Sequence, residues 1–335
     1  MTTSRMQSNA VITAIGSYVP EQVLRNADLE RMVDTNDEWI VQRTGIRERR
    51  ISAPEEYASD LAVAAVRDLE HRYLARLSDI DYIIVATSTP DTVFPSVASR
   101  VQHACGIVSA GAVDIQAACA GFVSGLQLAS GLLLSGSCRK ILVIGTETLS
   151  KITDYTDRST CILFGDGAGA VLVEAAADGA GAFIASRSAT DGAAGHHLYC
   201  SALSDNIGGQ PIATERRIVQ NGREVYKWAV TQVSGGVLEL LETAGIEPPA
   251  LDWLIPHSAN LRILESVSER TGIDMTRVLE SVVHYGNTSA ASIPLALDLA
   301  VRDGRVQPGQ LLLLYGFGGG LTQSGLLLRW TLEPR

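Results

Sequence analysis

Ile80-Asp81-Tyr82-Ile83-Ile84 in the first half of the chain and Leu251-Asp252-Trp253-Leu254-Ile255 in the second repeat one pattern, an aspartate set in an apolar run of strand length. They lie 171 residues apart (252 − 81). A second pair, Ile141 to Ile144 and Leu311 to Leu314, lies 170 apart (311 − 141). Each member of that pair leads to a glycine-rich turn and a final apolar strand. The turns are Phe164-Gly165-Asp166-Gly167-Ala168-Gly169 and Phe317-Gly318-Gly319-Gly320. Apolar strands resemble one another, so a single match carries little; several in one order at nearly one spacing indicate an internal repeat. The 335 residues accommodate two units of about 150 each, with a core large enough to need no disulfides.

Around these runs, apolar segments alternate with helically spaced ones. Strands are expected at 10–16, 82–87, 112–116, 141–145, 168–173, 182–186, 253–256, 311–315 and 325–330, and helices near 57–70, 95–106, 120–136, 224–243, 260–271 and 290–303. Continuous apolar strands between helices imply sheets covered on both faces, hence an α/β class. The seam of the duplication falls near 175–181, dividing the chain into halves 1–178 and 179–335. The Gly-, Ser- and Asn-rich stretch 190–218 reads as a long functional loop.

Composition narrows the function. With 27 basic against 37 acidic residues the net charge is −10, which argues against a nucleic-acid partner. Five widely spaced cysteines without a CxxC pair give neither a disulfide framework nor a zinc site and suit a reducing compartment. The N-terminus lacks a leader pattern, and the apolar runs break well short of the ~20 residues that span a membrane. A cytoplasmic protein with no membrane partner is expected.

The chemistry concentrates at a few positions. Asp114-Ile115-Gln116-Ala117-Ala118-Cys119-Ala120-Gly121-Phe122 reads as a strand turning through small residues into a helix, with Cys119 at the helix N-terminus. Exposed amides and the helix dipole there favour a thiolate. Half-ionising an ordinary cysteine at pH 7 takes about 2 kcal/mol. A helix end typically supplies about 0.3 to 1 kcal/mol, so a polar neighbour is expected as well. Read alone, Cys119 is either a nucleophile or a small core cysteine. His257 ends an apolar strand, as a crevice residue or a satisfied core histidine. Asn287, in His284-Tyr285-Gly286-Asn287-Thr288-Ser289, is a site residue, a turn residue or a helix cap. Gly318-Gly319-Gly320 suggests close backbone approach, and an amide there suits an oxyanion.

Together, AACAGF around Cys119, PHSANLRI with His257 and Asn260, HYGNTSAASIPLAL with Asn287, and FGGGLT resemble the β-ketoacyl-acyl carrier protein synthase III family, initiating condensing enzymes of type II fatty-acid synthesis. TNDEWIVQRTGIRER (35–49) and FGDGAGAV (164–171) extend the resemblance over residues 11 to 330. It implies a thiolase-like fold of two similar halves in αβαβα layers. It further implies that Cys119 takes an acyl group from acyl-CoA, and that His257 and Asn287 stabilise the enolate formed as malonyl-acyl carrier protein loses CO₂. Amides of Cys119 and Gly319 would bind the acyl oxyanion. By the same resemblance Trp39 and Arg158 sandwich the CoA adenine, Arg43 contacts phosphate or nucleotide, Gly222 and Asn260 contact pantetheine, and Arg262 docks the carrier protein. Phe94 would reach across a homodimer interface into the partner's acyl pocket. No metal or redox cofactor is implied.

The chain departs from the family pattern at Ser258, Gln220, Tyr226 and Gln323-Ser324, expected near the channel. The departures are similar to a second, paralogous form in some Gram-positive bacteria that accepts short or branched primers. An acidic carrier protein requires a basic patch, with Arg47, Arg49, Arg50, Arg216, Arg217 and Arg262 as candidates. The alternative is a polyketide-starter synthase or acyltransferase of secondary metabolism on the same scaffold. A non-catalytic acyl-CoA-binding subunit is disfavoured by the presence of Cys119.

Overall fold

The computed structural model describes residues 2–333. Met1 and the last two residues of the expected halves lie outside the described residues. The apolar runs become strands buried on both faces, in two five-stranded mixed sheets. The first has the order β2 (Ala10–Tyr18), β8 (Asp166–Ala175), β7 (Lys140–Thr148), β5 (Tyr82–Ala86), β6 (Gly111–Ile115). The second has β1 (Thr2–Arg5), β9 (Phe183–Thr190), β16 (Thr322–Arg329), β15 (Leu311–Gly318), β14 (Trp253–Pro256). The expected seam falls in the connection from β8 to β9, while β1 crosses it and pairs with β9.

Strand register corrects the repeat. Tyr82 lies opposite Ile141, and Trp253 opposite Leu312. Both pairs are therefore displaced by 171 residues (253 − 82 and 312 − 141), and the expected spacing of 170 for the second was one residue short. In leucine-rich runs a one-residue slip leaves the pattern unchanged, so only pairing decides it. Beside β14, Val278 makes a single parallel bridge to Leu254, in the place that β6 takes beside β5.

Two helices, α5 (Gly121–Leu134) and α9 (Ser292–Arg302), form a middle layer touching both sheets. A helix between two sheets must be apolar nearly all round, and α5 buries Phe122, Val123, Leu126, Ala129 and Leu133. On α9 the buried Asp298 accepts from Arg72 Nη1 at 2.6 Å, Ser17 Oγ at 2.6 Å and Arg302 Nε at 2.8 Å, tying α9 to the first half. Arg72 belongs to α3 (Ala58–Tyr73), which with α4 (Val97–Ala104) covers the outer face of the first sheet. The second is covered by α6 (Gly222–Ala244), on which α7 (Leu261–Thr271) packs. The layers are αβαβα.

Shorter elements complete the chain: α1 (Asn26–Leu29), α2 (Asp37–Thr44), α8 (Val282–Tyr285) and three two-stranded sheets, β3 (Gln22–Arg25) with β4 (Glu48–Ile51), β10 (Leu198–Cys200) with β13 (Ile218–Gln220), and β11 (Asn206–Ile207) with β12 (Gln210–Pro211). The expected long loop at 190–218 thus holds β10 and the β11–β12 hairpin and ends at the start of β13. Among the described residues no helix is long and apolar enough to cross a membrane.

The halves meet through two short 3-10 turns, Ala118–Ala120 before α5 and Ser289–Ala291 before α9. Each turn packs on a glycine of the opposite half. A Cβ on Gly145 in β7 would collide with the Ala290 carbonyl oxygen, and one on Gly316 in β15 would lie 2.6 Å from the Ala120 Cα. Both neighbours are backbone and cannot rotate away. Gly145→Ala is expected to lower stability by about 2 kcal/mol or more, read as a fall in the urea midpoint. Gly131→Ala, on α5 with no atom near the added methyl, should be neutral or stabilising by up to about 1 kcal/mol.

Candidate active site

Strand β6 delivers the chain into the first turn, where Ala118 adopts φ 43° and turns Cys119 inward. Ser289, its counterpart 171 residues on (289 − 118), has φ 47°. In the same register Gly318 is the counterpart of Glu147 (318 − 147). A Cβ on Gly318 would lie 2.8 Å from Cys119 Sγ, so the end of β15 passes directly against the sulfur. His257 follows β14, and Asn287 follows α8 and bridges to Phe164. Cys119, His257, Asn287, Gly318 and Gly319 line one cavity of about 1140 Å³. Apolar side chains, among them Leu149, Ile162, Leu198 and Phe317, form its walls, and Trp39, Arg43 and Arg262 line its solvent-exposed part.

Hydrogen bonds fix what each polar group presents. Ser292 Oγ accepts from the Ser258 amide at 3.3 Å and lies 2.7 Å from His257 Nδ1. With the hydroxyl's own proton given to Nδ1, the ring proton lies on Nε2 and that nitrogen is a donor. Phe317 stands edge-on to the ring, centroids 5.2 Å apart. Burial pushes the His257 pKa down to about 3, so the ring is neutral. Asn287 Oδ1 accepts from the Ser289 amide at 2.9 Å, leaving the amide NH₂ as the group it can offer. It is thus a turn residue as well as a cavity residue, and it caps no helix. A neutral imidazole N–H and a carboxamide N–H lining one cavity suit an oxygen on which negative charge develops.

Cys119 departs from the expected thiolate. It is 8 % exposed, and burial pushes its pKa up to about 12, against the opposing effect of the Ser289 hydroxyl and its own amide. The cysteine sits in a 3-10 turn, one turn ahead of α5, and desolvation outweighs the helix end. The resting group is a thiol.

Other expected positions are placed as follows. Arg158 lies over the Trp39 indole with Cζ 4.7 Å from its centroid, and Arg43 at 5.6 Å. A purine between indole and guanidinium needs about 7 Å, two contact distances, so Arg158 must swing out before a base is sandwiched there. Gly222 opens α6 at the cavity edge. Asn260 caps α7, accepting from the Arg262 amide at 2.8 Å, and also lines the cavity. Arg262 Nε donates to the Gln42 carbonyl at 2.8 Å. Phe94 lies outside its own chain's cavity and is 84 % exposed.

Two expectations are overturned. Arg49 cannot belong to a docking patch: it is fully buried and donates to the Leu24 and Ile162 carbonyls and to Asn26 Oδ1. Gln323 and Ser324 do not line the cavity. Gln323 accepts from Tyr315 Oη at 2.6 Å, and Ser324 Oγ lies 2.8 Å from Ser124 Oγ, both in the interior. Of the departures, Gln220 and Tyr226 do line it, while Ser258 is buried and receives the Ser281 amide. Sequence reasoning missed Glu147, Ser289 and Ser292. A lone acid inside the apolar run 140–148 was the available signal for Glu147.

Comparison with known proteins gives a consistent picture. The family described as 3-oxoacyl-[acyl-carrier-protein (ACP)] synthase III matches residues 113–192, and its C-terminal counterpart residues 241–330. The chain is 55% identical over 325 residues to a β-ketoacyl-[acyl-carrier-protein] synthase III 2 of Halalkalibacterium halodurans, covering 97% of this chain and 98% of that protein. It is 55% identical to the protein of the same name from Bacillus subtilis, covering 96% and 99%. Among solved structures, the β-ketoacyl-[acyl carrier protein] synthase III of Thermus thermophilus superposes with a TM-score of 0.92 at 45% identity, covering 96% and 99% of the chains. The priming β-ketosynthase of the R1128 polyketide pathway gives 0.90 at 34%, covering 100% and 99%.

Neutral, Nε2-protonated His257 has a measurable consequence. The unfolded chain takes up a proton below pH ~6.5, which the folded ring refuses until pH about 3, so this stability is present above pH ~6.5 and lost as pH falls. Against His257→Asn, the wild type should lose about 2 kcal/mol more between pH 8 and pH 5 in urea titrations. Ring ¹⁵N spectra at pH 5 should show Nε2–H, and an imidazolium signal there would contradict the assignment.

Proposed function

The chain belongs to the 3-oxoacyl-[acyl-carrier-protein] synthase III family, and from that premise we propose that Cys119, His257 and Asn287 carry out the decarboxylative condensation of a short-chain acyl-CoA, acetyl or branched, with malonyl-acyl carrier protein. The product is β-ketoacyl-acyl carrier protein, the first intermediate of fatty-acid synthesis. The observation that carries this reading is the placement of one buried thiol and two neutral donors on a single cavity.

In the first step Cys119 Sγ attacks the thioester carbonyl, the bond to CoA sulfur breaks and CoA leaves as the thiol. The amides of Cys119 and Gly319 receive the oxyanion; the approach of Gly318 to the sulfur supports this role for the adjoining residue. In the second step the malonyl C–C bond breaks and CO₂ departs. The electron pair becomes an enolate whose oxygen accepts from His257 Nε2–H and Asn287 N–H. Its carbon attacks the acyl-cysteine, the bond to Cys119 Sγ breaks, and the sulfur takes up one proton from solvent to return to the thiol. Neither step changes oxidation state overall, so the proposed route calls for no metal or redox cofactor. Trp39, Arg158 and Arg43 would hold the nucleotide end of CoA, Gly222 and Asn260 the pantetheine, and exposed Arg262 the carrier protein.

A homodimer is the assembly this reading favours. Val93 and Phe94 are strongly exposed and Val113 stands on β6, the edge of the first sheet, where a second copy would cover them. Five unpaired cysteines and acyl-CoA as substrate support a cytoplasmic place of action.

Intact-protein mass spectrometry with a panel of acyl-CoAs, chased with malonyl-acyl carrier protein, tests the sequence of steps. Cys119 should gain an acyl mass that the chase removes as β-ketoacyl-carrier protein; a mass that forms and survives the chase would favour acyl transfer to another acceptor. Cys119→Ser should abolish labelling. Asn287→Ala should still be acylated but release ¹⁴CO₂ from labelled malonyl-carrier protein about 10²- to 10³-fold more slowly.

A further inference from the structure

Ser292, the first residue of α9, takes no part in the steps above, yet among the described residues its hydroxyl is the one group hydrogen-bonded to the His257 ring. Both side chains are buried. The hydroxyl is itself held in place. Its oxygen accepts from the Ser258 amide at 3.3 Å. Ser258 Oγ accepts the amide of Ser281, the residue before α8, at 3.0 Å, and Ser281 Oγ donates to the Ser292 carbonyl at 3.2 Å. Three serines thus close a loop between the end of β14 and the start of α9, and Ser258, a departure from the family pattern, enters it through its side chain. Asp298 anchors α9 in turn to Arg72 and Ser17 of the first half. The hydroxyl is fixed, and the ring conforms to it.

The polarity of this contact decides what the ring can do. A carbonyl or carboxylate beside Nδ1 takes the ring proton there and leaves a lone pair on Nε2, the arrangement of a base. A hydroxyl can act either way. Here the Ser258 amide already donates to Ser292 Oγ, and the hydroxyl proton has no acceptor other than Nδ1 among the described residues. Were Nδ1 protonated, that buried proton would go unpaired, at a cost of about 1 to 3 kcal/mol. Donation to Nδ1 avoids the cost and leaves Nε2–H for the cavity that His257 lines with Asn287. Acylation of Cys119 calls on neither of those two donors, whereas loss of CO₂ calls on both. Ser292 therefore bears on one half-reaction and not on the other.

We propose that Ser292 is a positioning residue for the decarboxylation step: its hydroxyl fixes the His257 ring and its tautomer, so that Nε2–H meets the forming enolate oxygen. Ser258 and Ser281 hold that hydroxyl in place, and no proton leaves Ser292 during turnover. The proposal rests on the condensation reading above.

Single-turnover assays that separate the half-reactions test it, using the acyl-CoA that labels wild type fastest in the panel above. Ser292→Ala should acylate Cys119 at close to the wild-type rate. It should release ¹⁴CO₂ from labelled malonyl-acyl carrier protein at least about tenfold more slowly, with the steady-state loss in kcat rather than KM. Ser292→Thr, which keeps the hydroxyl, should recover most of that rate. Ring ¹⁵N spectra at pH 8 should show Nδ1 as a hydrogen-bonded acceptor in wild type and as a free one in Ser292→Ala. A Ser292→Ala enzyme that slows acylation and CO₂ release alike, or leaves CO₂ release unchanged, overturns the proposal. So does a wild-type spectrum with the ring proton on Nδ1, which decides the matter even where neither variant folds. A wild type that is acylated yet releases no CO₂ removes the condensation reading and the proposal together; the other outcomes leave that reading standing.

Discussion

Everything in this molecule is arranged around the contact of two short turns. The turns 118–120 and 289–291 touch each other, and each rests on a glycine of the opposite half, Gly145 or Gly316. Backbone against backbone at this spacing tolerates no side chain, so the positions of both sheets and of the two middle helices are set by these crossings. The left-handed residues Ala118 and Ser289 are the local cost of entering a helix directly from so tight a turn. What the crossing provides is a buried thiol, a strand end and two polar side chains held on elements from both halves.

Burial then sets the protonation states. The same low-polarity interior raises the thiol and the Glu147 carboxyl and lowers the imidazole, all toward their uncharged forms. An uncharged site binds thioesters, themselves neutral at the reacting carbonyl, without first separating ion pairs. Its dipoles act at full strength when an oxyanion or enolate appears. The helix end, which suggested a thiolate from sequence, is too weak to oppose this.

The duplication, the class and the main strands were legible because β-branched and leucine runs report burial on both faces, and because a repeated pattern needs no knowledge of contacts. The repeat's register was not, since Leu311 to Leu314 reads alike under a one-residue shift and only its pairing fixes it. Cys119, His257 and Asn287 were visible as unusual residues among small or apolar neighbours, and the resemblance to a family joined them. Arg49 shows the opposite limit: a charged residue reads as surface, whereas here its guanidinium satisfies carbonyls brought together from distant segments. Gln323 and Ser324 were misplaced because β16 does not border the cavity at all: one of its faces meets Tyr315 and the other Ser124. Glu147 was passed over although an acid within a fully buried strand is a plain anomaly.

The two turns are equivalent in backbone, but what faces them is not. Gly318 offers the first turn no side chain, while its counterpart Glu147 places a buried carboxyl group on β7, the strand that packs on the second. Donors at such a turn need an acceptor once buried. One copy is faced by bare backbone; the other is faced by a buried carboxyl group. A symmetric scaffold thereby holds a single open cavity, and at the equivalent place in its mirror image the space is taken by the side chain of Glu147.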